Sequence, residues 1–572
     1  MATISEGPTP VQRFWRLLKP DAKEIRDVYT YAVFNGLVSL SLPLGIQAIV
    51  NFIQGGDISS SWIVMVVVVV LGVAITGVLQ IFQLRITENL QQKIFTRAAF
   101  EFAYRVPRIR MEKLYRHYAP ELMNRFFDTL TVQKGLSKIL LDFSVATLQV
   151  IFGLILLSLY HPFFIMFSLV LVVLVYLIFR FTARRGLETS LQESKYKYQL
   201  AHWLEELARS STTFRLVGST PLPLDKTDRN VGNYLNARES HFKILVQQYS
   251  LMVVFKVIVA AGLLAIGGAL VMRQSMNIGQ FIAAEIIILL VMASVEKLIL
   301  SFETIYDVLT ALAKIGQVTD LELEHDEGLD LKHECTELGL AVQLRDVSFT
   351  FPEGNRKVLN KLNITIDRGE KIMIAGRNGS GKSTLLQIVA GLYENQEGQI
   401  IYNGLPKGNL KLSTVREVIG DILSQQDLFE GTLLENITMG REHVTFERVK
   451  WAVGHMGLAK FIEELPDGYN TLLGPMGSKL PRSIIQKLLL ARAVAGNPKI
   501  ILLEDAFEHI DLNDRKRIID FITDKNHEWT LIAVSSDPLV AEATDNIAVM
   551  EDGKIAQRGG FKLFNELMNQ NA

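Results

Sequence analysis

The sequence predicts a multidomain chain in which an α-helical membrane domain of six transmembrane helices precedes an α/β domain built on a phosphate-binding loop. Three observations predict it. Of 572 residues 49% are apolar and the mean hydropathy is +0.23, too many residues for one domain and too apolar for an ordinary water-soluble protein. The apolar residues gather into six runs before residue 304, each close to the length of about 20 residues that a bilayer crossing requires. Residues 376–384 read GRNGSGKST, a full phosphate-loop pattern set between a strand-like and a helix-like segment.

The composition also excludes some classes. A net charge of −1 gives no electrostatic footprint for nucleic acid. The single cysteine, Cys335, excludes an internal disulfide and offers no thiolate metal cluster.

Residues 1–27 carry Arg13, Arg16, Lys19, Lys23 and Arg26 and have no short apolar core followed by a small-residue cleavage site. They read as a cytoplasmic N-terminal elbow and not as a signal peptide. The six runs fall at 28–52, 61–84, 138–159, 162–182, 248–271 and 280–303. The connections at 53–60, 160–161 and 272–279 are short and hold Arg273 as their one cation, whereas 85–137 and 183–247 are long and basic. The positive-inside tendency puts the long loops and both termini in the cytoplasm of a multi-pass protein. The loops are rich in helix formers, as in ITENLQQKIFTRAAF and LQESKYKYQLAHWLEEL, so the membrane helices are expected to continue beyond the bilayer. They turn near 116–126 and 210–220, which are either contact points for a second domain or solvated turns.

Gln47, Asn51, Gln149, Lys256, Glu285, Glu296 and Lys297 interrupt the apolar runs. Lys256 reads as snorkelling from the cytoplasmic end of its span, and Glu296 and Lys297 as lying near the inner interface. Glu285 sits deeper, where an ionisable group lines a pathway or pairs at a helix interface. Together 28–318 form the membrane domain, and the acidic run at 319–340 breaks the hydrophobic pattern and reads as a linker.

Residues 341–572 alternate strand-like and helix-like segments, as an α/β domain does. In Gly376–Thr384 the glycines leave backbone amides free to wrap a phosphate, and the helix that follows points its positive end at the anion. Lys382 reaches the β- and γ-phosphates and Ser383 places a hydroxyl on Mg²⁺.

The whole chain resembles the ATP-binding cassette (ABC) exporters, as a half-transporter of the type I/IV exporter fold. The likeness is strongest in FIEELPDGYNTLLGPMG and ARAVAGNPKIILLEDAFEHID, which match the helical subdomain and the strand after it. LPLGIQAIVNFI and GEKIMIAGRNGSGKSTLLQIVAGLYENQEGQI are closest in flavour to bacterial type I secretion and peptide exporters. With no N-terminal peptidase domain in view, the chain is not expected to trim a leader. The resemblance implies ATP and Mg²⁺, a location in the inner membrane, and a dimer, with itself or with a second ABC half-transporter. In that dimer each ATP lies between one phosphate loop and the facing signature motif. The turns near 116–126 and 210–220 become coupling helices, and a type I secretion role adds periplasmic adaptor and outer-membrane partners.

Laid on the family pattern, Phe351 stands where an aromatic ring stacks on adenine, and Gly376, Asn378, Gly379, Ser380, Gly381, Lys382, Ser383 and Thr384 fit the phosphate loop. The chemical positions depart from it. Ser424 stands where a glutamine senses Mg²⁺ and water, and a one-residue slip would give that role to Gln425. The signature LSGGQ is LPRSI, in which Pro481 removes an amide proton and Arg482 and Ser483 replace bare backbone. Glu504 stands at the Mg²⁺ aspartate and Asp505 at the catalytic glutamate. Ser536 replaces the switch histidine and Pro475 a coupling glutamate, while Asp511 is kept. Three readings stay open: an export subunit that binds ATP but hydrolyses it poorly or through a better-equipped partner, a non-hydrolytic membrane scaffold or regulator, and an ATPase that uses Glu504 or Arg482 in an unorthodox role. No local motif names the cargo.

Overall fold

The computed structural model describes residues 8–55, 60–331, 339–423 and 427–571. Cys335 lies outside them. The described residues up to Arg108 and from His117 to Leu321 form one compact unit, and Ile109–Arg116 joins the residues from Glu322 onward in a second.

The first unit is helical, with six stretches long and apolar enough to cross a membrane, one for each expected span: α1 (Pro10–Gly55), α2 (Ser60–Arg108), α3 (Ala119–Tyr160), α4 (Pro162–Arg209), α5 (Leu222–Met272) and α6 (Ile278–Thr319). Several run far past the bilayer. The 48 residues of α4 make a rod of roughly 70 Å at about 1.5 Å per residue. Its start is set by His161, whose ring accepts from the Phe163 amide at 3.2 Å, followed by Pro162 at the first position, where a missing amide proton costs nothing. At the head of α6, Asn277 and Gln280 form a reciprocal capping box (2.7 and 3.0 Å). The apolar window of α6 is 44% buried against 11% for α2, so α6 is the central helix, and α2 leaves Val64, Val67, Leu71 and Ile75 for lipid.

The polar residues inside the spans are mostly paired. Gln47 accepts from Tyr160 (2.6 Å) and Gln149 from Ser294 (3.0 Å). Lys256 does not snorkel: its ammonium meets the Glu296 carboxylate at 2.6 Å and ties α5 to α6, because two opposite charges in apolar surroundings gain more from each other than from separate retreats. Lys297 is exposed, and Glu285 is half-buried with no hydrogen bond or ion pair among the described residues.

The turn expected near 116–126 is divided between the units. Ile109–Arg116 belongs to the second, whereas the helix Ala119–Met123 lies in the first and buries Leu122. The other turn forms a helix, Ser211–Val217, that ends at Gly218 with φ +80°. It leaves an apolar tip uncovered, with Leu216 82% and Leu224 76% exposed.

The second unit contains β1 (Val342–Phe349), β2 (Leu359–Ile366), β3 (Lys371–Ala375), β4 (Glu397–Tyr402), β5 (Leu405–Pro406), β6 (Ile419–Ile422), β7 (Gly431–Thr432), β8 (Leu472–Leu473), β9 (Ile500–Glu504), β10 (Thr530–Val534), β11 (Asn546–Glu551) and β12 (Lys554–Gly559). One antiparallel sheet runs β2-β1-β4-β5 and a larger one β12-β11-β3-β10-β9-β6, while β7 pairs with β8. In the larger sheet β11, β3, β10, β9 and β6 are parallel. Strands covered on both faces read as continuous apolar runs, and β3, β9 and β10 are buried at every position. The helices that matter below are α7 (Lys382–Val389), α8 (Leu433–Thr438), α9 (Phe446–His455), α10 (Arg482–Ala495), α11 (Leu512–Thr523) and α12 (Pro538–Ala543). Of these, α8, α9 and α10 lie between β7 and β9 in the chain and form the helical part of this unit.

One buried charge in this unit carries a pH signature. Lys371 is 1% exposed in β3, and its ammonium donates to the carbonyls of His527 (2.8 Å) and Trp529. Burial pushes its pKa down to about 8, against the opposing pull of Asp545 and Asp524. An unfolded lysine titrates near 10.4, so as pH falls through that value the unfolded chain takes up the proton first. Stability is therefore greatest above about pH 10, is lost as pH falls toward 8, and is constant below. Thermal unfolding followed at both ends of that window should show wild type gaining several degrees on Lys371→Met as pH rises, at about 2–4 °C per kcal/mol for a unit of this size. Parallel curves for the two proteins would remove Lys371 as the source.

Candidate nucleotide site

The site begins where β3 ends. Gly376, Gly379 and Gly381 have φ of +147°, +79° and +103°, conformations that side chains rarely adopt. A Cβ at Gly376 would lie 2.3 Å from the Met550 carbonyl oxygen, and one at Gly381 2.9 Å from that of Val358. The loop is therefore built for bare backbone. Arg377, Asn378 and Gly379 are exposed, Ser380 and Thr384 are buried, and Ser383 is half-buried in the first turn of α7. Lys382 folds back over the loop, its ammonium donating to the carbonyls of Gly376 (2.9 Å) and Arg377 (3.0 Å). The buried Ser380 hydroxyl has no hydrogen-bond partner among the described residues. Such a cradle, with a free hydroxyl, a lysine and a helix N-terminus, fits a phosphate chain, and Ser383 and Glu504 carry the oxygens that a hard divalent cation there would use.

Strand β9 delivers the carboxylates. Its parallel register sets Glu504 opposite Val534 of β10, and Glu504 is 7% exposed. The next residue, Asp505, takes φ +46° while its amide donates to the Val534 carbonyl (3.0 Å), which turns its side chain out of the strand to an exposed position. Partial desolvation of the carboxyl group raises the Asp505 pKa above the usual carboxylate range, with Glu508 and Glu504 adding repulsion and Lys382 opposing. The Lys382 pKa is lowered by burial and lifted back by Asp505 and Glu504. Phosphate loop and both carboxylates thus share one electrostatic neighbourhood.

Ser536, past the end of β10, is exposed; beside it the Ser535 hydroxyl accepts from the Asp537 amide (3.0 Å), and Asp537 caps α12. Pro481 is the N-cap of α10 with Arg482 exposed and Ser483 half-buried in its first turn. The Arg482 guanidinium lies 3.4 Å from His509 Nε2. Gln486 on the same helix accepts from the His509 amide (3.0 Å) and reaches the Asp505 carbonyl (3.5 Å), pinning the loop after β9. Asp511 caps α11 by accepting from the Asp514 amide (3.1 Å), and Pro475 precedes Met476, whose φ is +54°. Ser424, Gln425 and Gln426 lie outside the described residues.

Phe351 sits in an aromatic cluster. Phe349 and Tyr393 meet it edge to face at 5.0 and 5.5 Å, and Tyr115 stacks on it at 5.4 Å with planes 22° apart. Sequence reasoning missed Tyr115, Gln486, Glu508 and His509. No short-range sequence pattern marks any of the four.

A family model described as the ABC transporter transmembrane region matches residues 29–295, and one described as ABC transporter matches residues 359–508. The chain is 27% identical over 361 residues to the leukotoxin translocation ATP-binding protein LktB of Mannheimia glucosida, covering 62% of this chain and 50% of that protein. It is 27% identical over 364 residues to the alpha-hemolysin translocation ATP-binding protein HlyB of Escherichia coli, covering 63% and 50%. The chain thus spans about half the length of these curated relatives. Its fold is similar to the solved structure of a bacterial Atm1-family ABC exporter with ATP bound, with a TM-score of 0.83 and 18% identity over 96% of this chain and 98% of that one.

Proposed function

The chain belongs to the ABC transporter family, and from that premise we propose that it is an export subunit of a cell inner membrane that binds MgATP and hydrolyses it slowly. The proposed domains are the membrane domain 28–318 and the nucleotide-binding domain 341–572, joined by the linker 319–340. One contrast carries the reading. The phosphate cradle keeps three glycines at positive φ, Lys382 and an unpartnered buried Ser380 hydroxyl, while Pro481, Arg482, Ser483, Glu504, Asp505 and Ser536 replace the family's residues on the chemical side.

In this reading Gly376, Asn378, Gly379, Ser380, Gly381, Lys382 and Thr384 hold the phosphates, Ser383 and Glu504 hold Mg²⁺, and Phe351 receives the base. Bound MgATP would supply the free energy of phosphoryl transfer. The chain's own part is to orient the phosphates and to offer Asp505 as a carboxylate one methylene shorter than the family's, with its pKa raised. The uncovered tip at Leu216 and Leu224 supports a second half-transporter, since exposed apolar side chains gain by burial against a partner. The likeness to toxin translocation proteins supports a peptide or protein cargo and, with it, periplasmic adaptor and outer-membrane partners.

The test is to measure binding and turnover on the same preparation of chain in lipid nanodiscs, alone and with any copurifying partner. Saturable MgATP binding with turnover below about 1 per second, under the usual range for enzymes, is the expected result. Fast turnover by the chain alone would refute the slow-hydrolysis reading. Binding without turnover in every preparation would move the assignment to a membrane scaffold or regulator.

A further inference from the structure

We propose that Tyr115 occupies the face of Phe351 that a nucleotide base needs, and that base binding displaces it, so that occupancy of the nucleotide site is passed to the segment Ile109–Arg116. The inference rests on the reading of Phe351 as the base-receiving ring.

The rings around Phe351 are held unequally. Phe349 and Tyr393 are buried in the core of the second unit and touch Phe351 edge to face, which makes them fixed walls. Tyr115 is the ring in parallel stacking geometry, and it is 48% exposed. A planar purine offers the same kind of face-to-face contact, so the two compete for one surface.

The segment that carries Tyr115 is anchored at one end. Ile109 forms an antiparallel bridge with Leu323, and the Arg110 amide donates to the Glu322 carbonyl at 3.1 Å. The Arg110 guanidinium spans Glu322 (2.8 Å) and Glu394 (2.6 Å), and the Glu112 carboxylate accepts from the Glu394 amide (2.8 Å). Beyond the single turn Met111–Leu114 the grip weakens. Arg116 is exposed and 3.7 Å from Glu353. Tyr115 can therefore swing out while Ile109–Glu112 stay in place. Two residues later, at His117, the chain passes into the helical unit. A displaced ring thus pulls on the backbone that leads to α3. The same ring covers apolar surface of Phe351 that would otherwise face solvent.

The experiment uses the full chain in nanodiscs and compares MgATP with inorganic tripolyphosphate, which lacks a base. Tyr115→Ala should tighten MgATP about two- to tenfold, the range expected for loss of one competing aromatic pair, and leave tripolyphosphate affinity unchanged. Phe351→Ala should weaken MgATP and abolish the effect of Tyr115→Ala in the double variant. In Tyr115→Trp the indole emission should shift on adding MgATP and stay fixed with tripolyphosphate. If Phe351→Ala weakens MgATP while Tyr115→Ala leaves it unchanged or weakens it too, the displacement proposal is overturned and Tyr115 is a bystander or extends the stack. If Phe351→Ala leaves MgATP affinity unchanged, the base-receiving reading itself fails and takes this inference with it.

Discussion

Lys382→Ala is expected to lower MgATP affinity by about 10- to 150-fold, the equivalent of losing one hydrogen bond to a charged group at about 1.5–3 kcal/mol. Two backbone carbonyls, those of Gly376 and Arg377, now hold the Lys382 ammonium. A triphosphate offers it full negative charge instead, and a charge-assisted bond is roughly twice as strong as a neutral one. The variant should fold, because both carbonyls lie beside exposed or half-buried loop residues that water can reach. There is also a pH signature. Burial lowers the Lys382 pKa, and a bound polyanion would raise it again, so binding at alkaline pH requires uptake of a proton. MgATP affinity of the wild type should therefore decline as pH rises above the lowered pKa, and the decline should be absent in Lys382→Ala. Isothermal titration at two pH values decides the matter. Equal affinities for the two proteins would mean that the loop does not bind nucleotide through Lys382.

What was legible in the sequence follows the range of the interactions involved. The six spans are a matter of composition over about 20 residues, and the structure places a membrane-length helix over every one. The phosphate loop is equally local: its glycines are dictated by backbone conformations and by carbonyls such as that of Met550, and the pattern survives wherever the chain must turn that tightly. The pairing of Lys256 with Glu296 was not legible, because it depends on how α5 and α6 are rotated about their axes. Each charge read alone looked like an interfacial residue. Tyr115 on Phe351 fails for the same reason at greater range, since the contact exists only because Ile109–Arg116 packs with residues more than two hundred positions away. The order Glu504 then Asp505 could be read as a substitution, but not the left-handed backbone at Asp505 or the grip of Gln486 on the loop that follows. The first accompanies the bond from the Asp505 amide to the Val534 carbonyl of β10, and the second depends on where α10 meets the loop after β9.

Exchange of the two carboxylates, Glu504→Asp with Asp505→Glu, is expected to raise ATP turnover by less than about tenfold on its own. With Ser536→His, Pro481→Ser, Arg482→Gly, Ser483→Gly and Ile484→Gln added, the expected rise is at least about a hundredfold. The reasoning is geometric. A base one methylene short misses its water by about 1 Å, a displacement that costs on the order of a hundredfold, and a positioned base is itself worth about 10²–10⁴. Restoring reach cannot recover the full factor while Ser536 supplies no charge and Pro481 and Arg482 deny the facing phosphate its backbone donors, each of which is worth about 10²–10³ in comparable sites. The exchange also works against the local backbone. At φ +46° residue 505 favours aspartate over glutamate, so the swapped pair should lose about 1 kcal/mol of stability, which a thermal shift would register. Arg482→Gly releases His509, but Gln486 still holds the His509 amide and the Asp505 carbonyl, so the loop after β9 should keep its place. Turnover of the reconstituted variants is the measurement. A fall in turnover on the carboxylate exchange alone would mean that Glu504 or Asp505 already acts in its present order, and that the site is an unorthodox ATPase instead of a slow one.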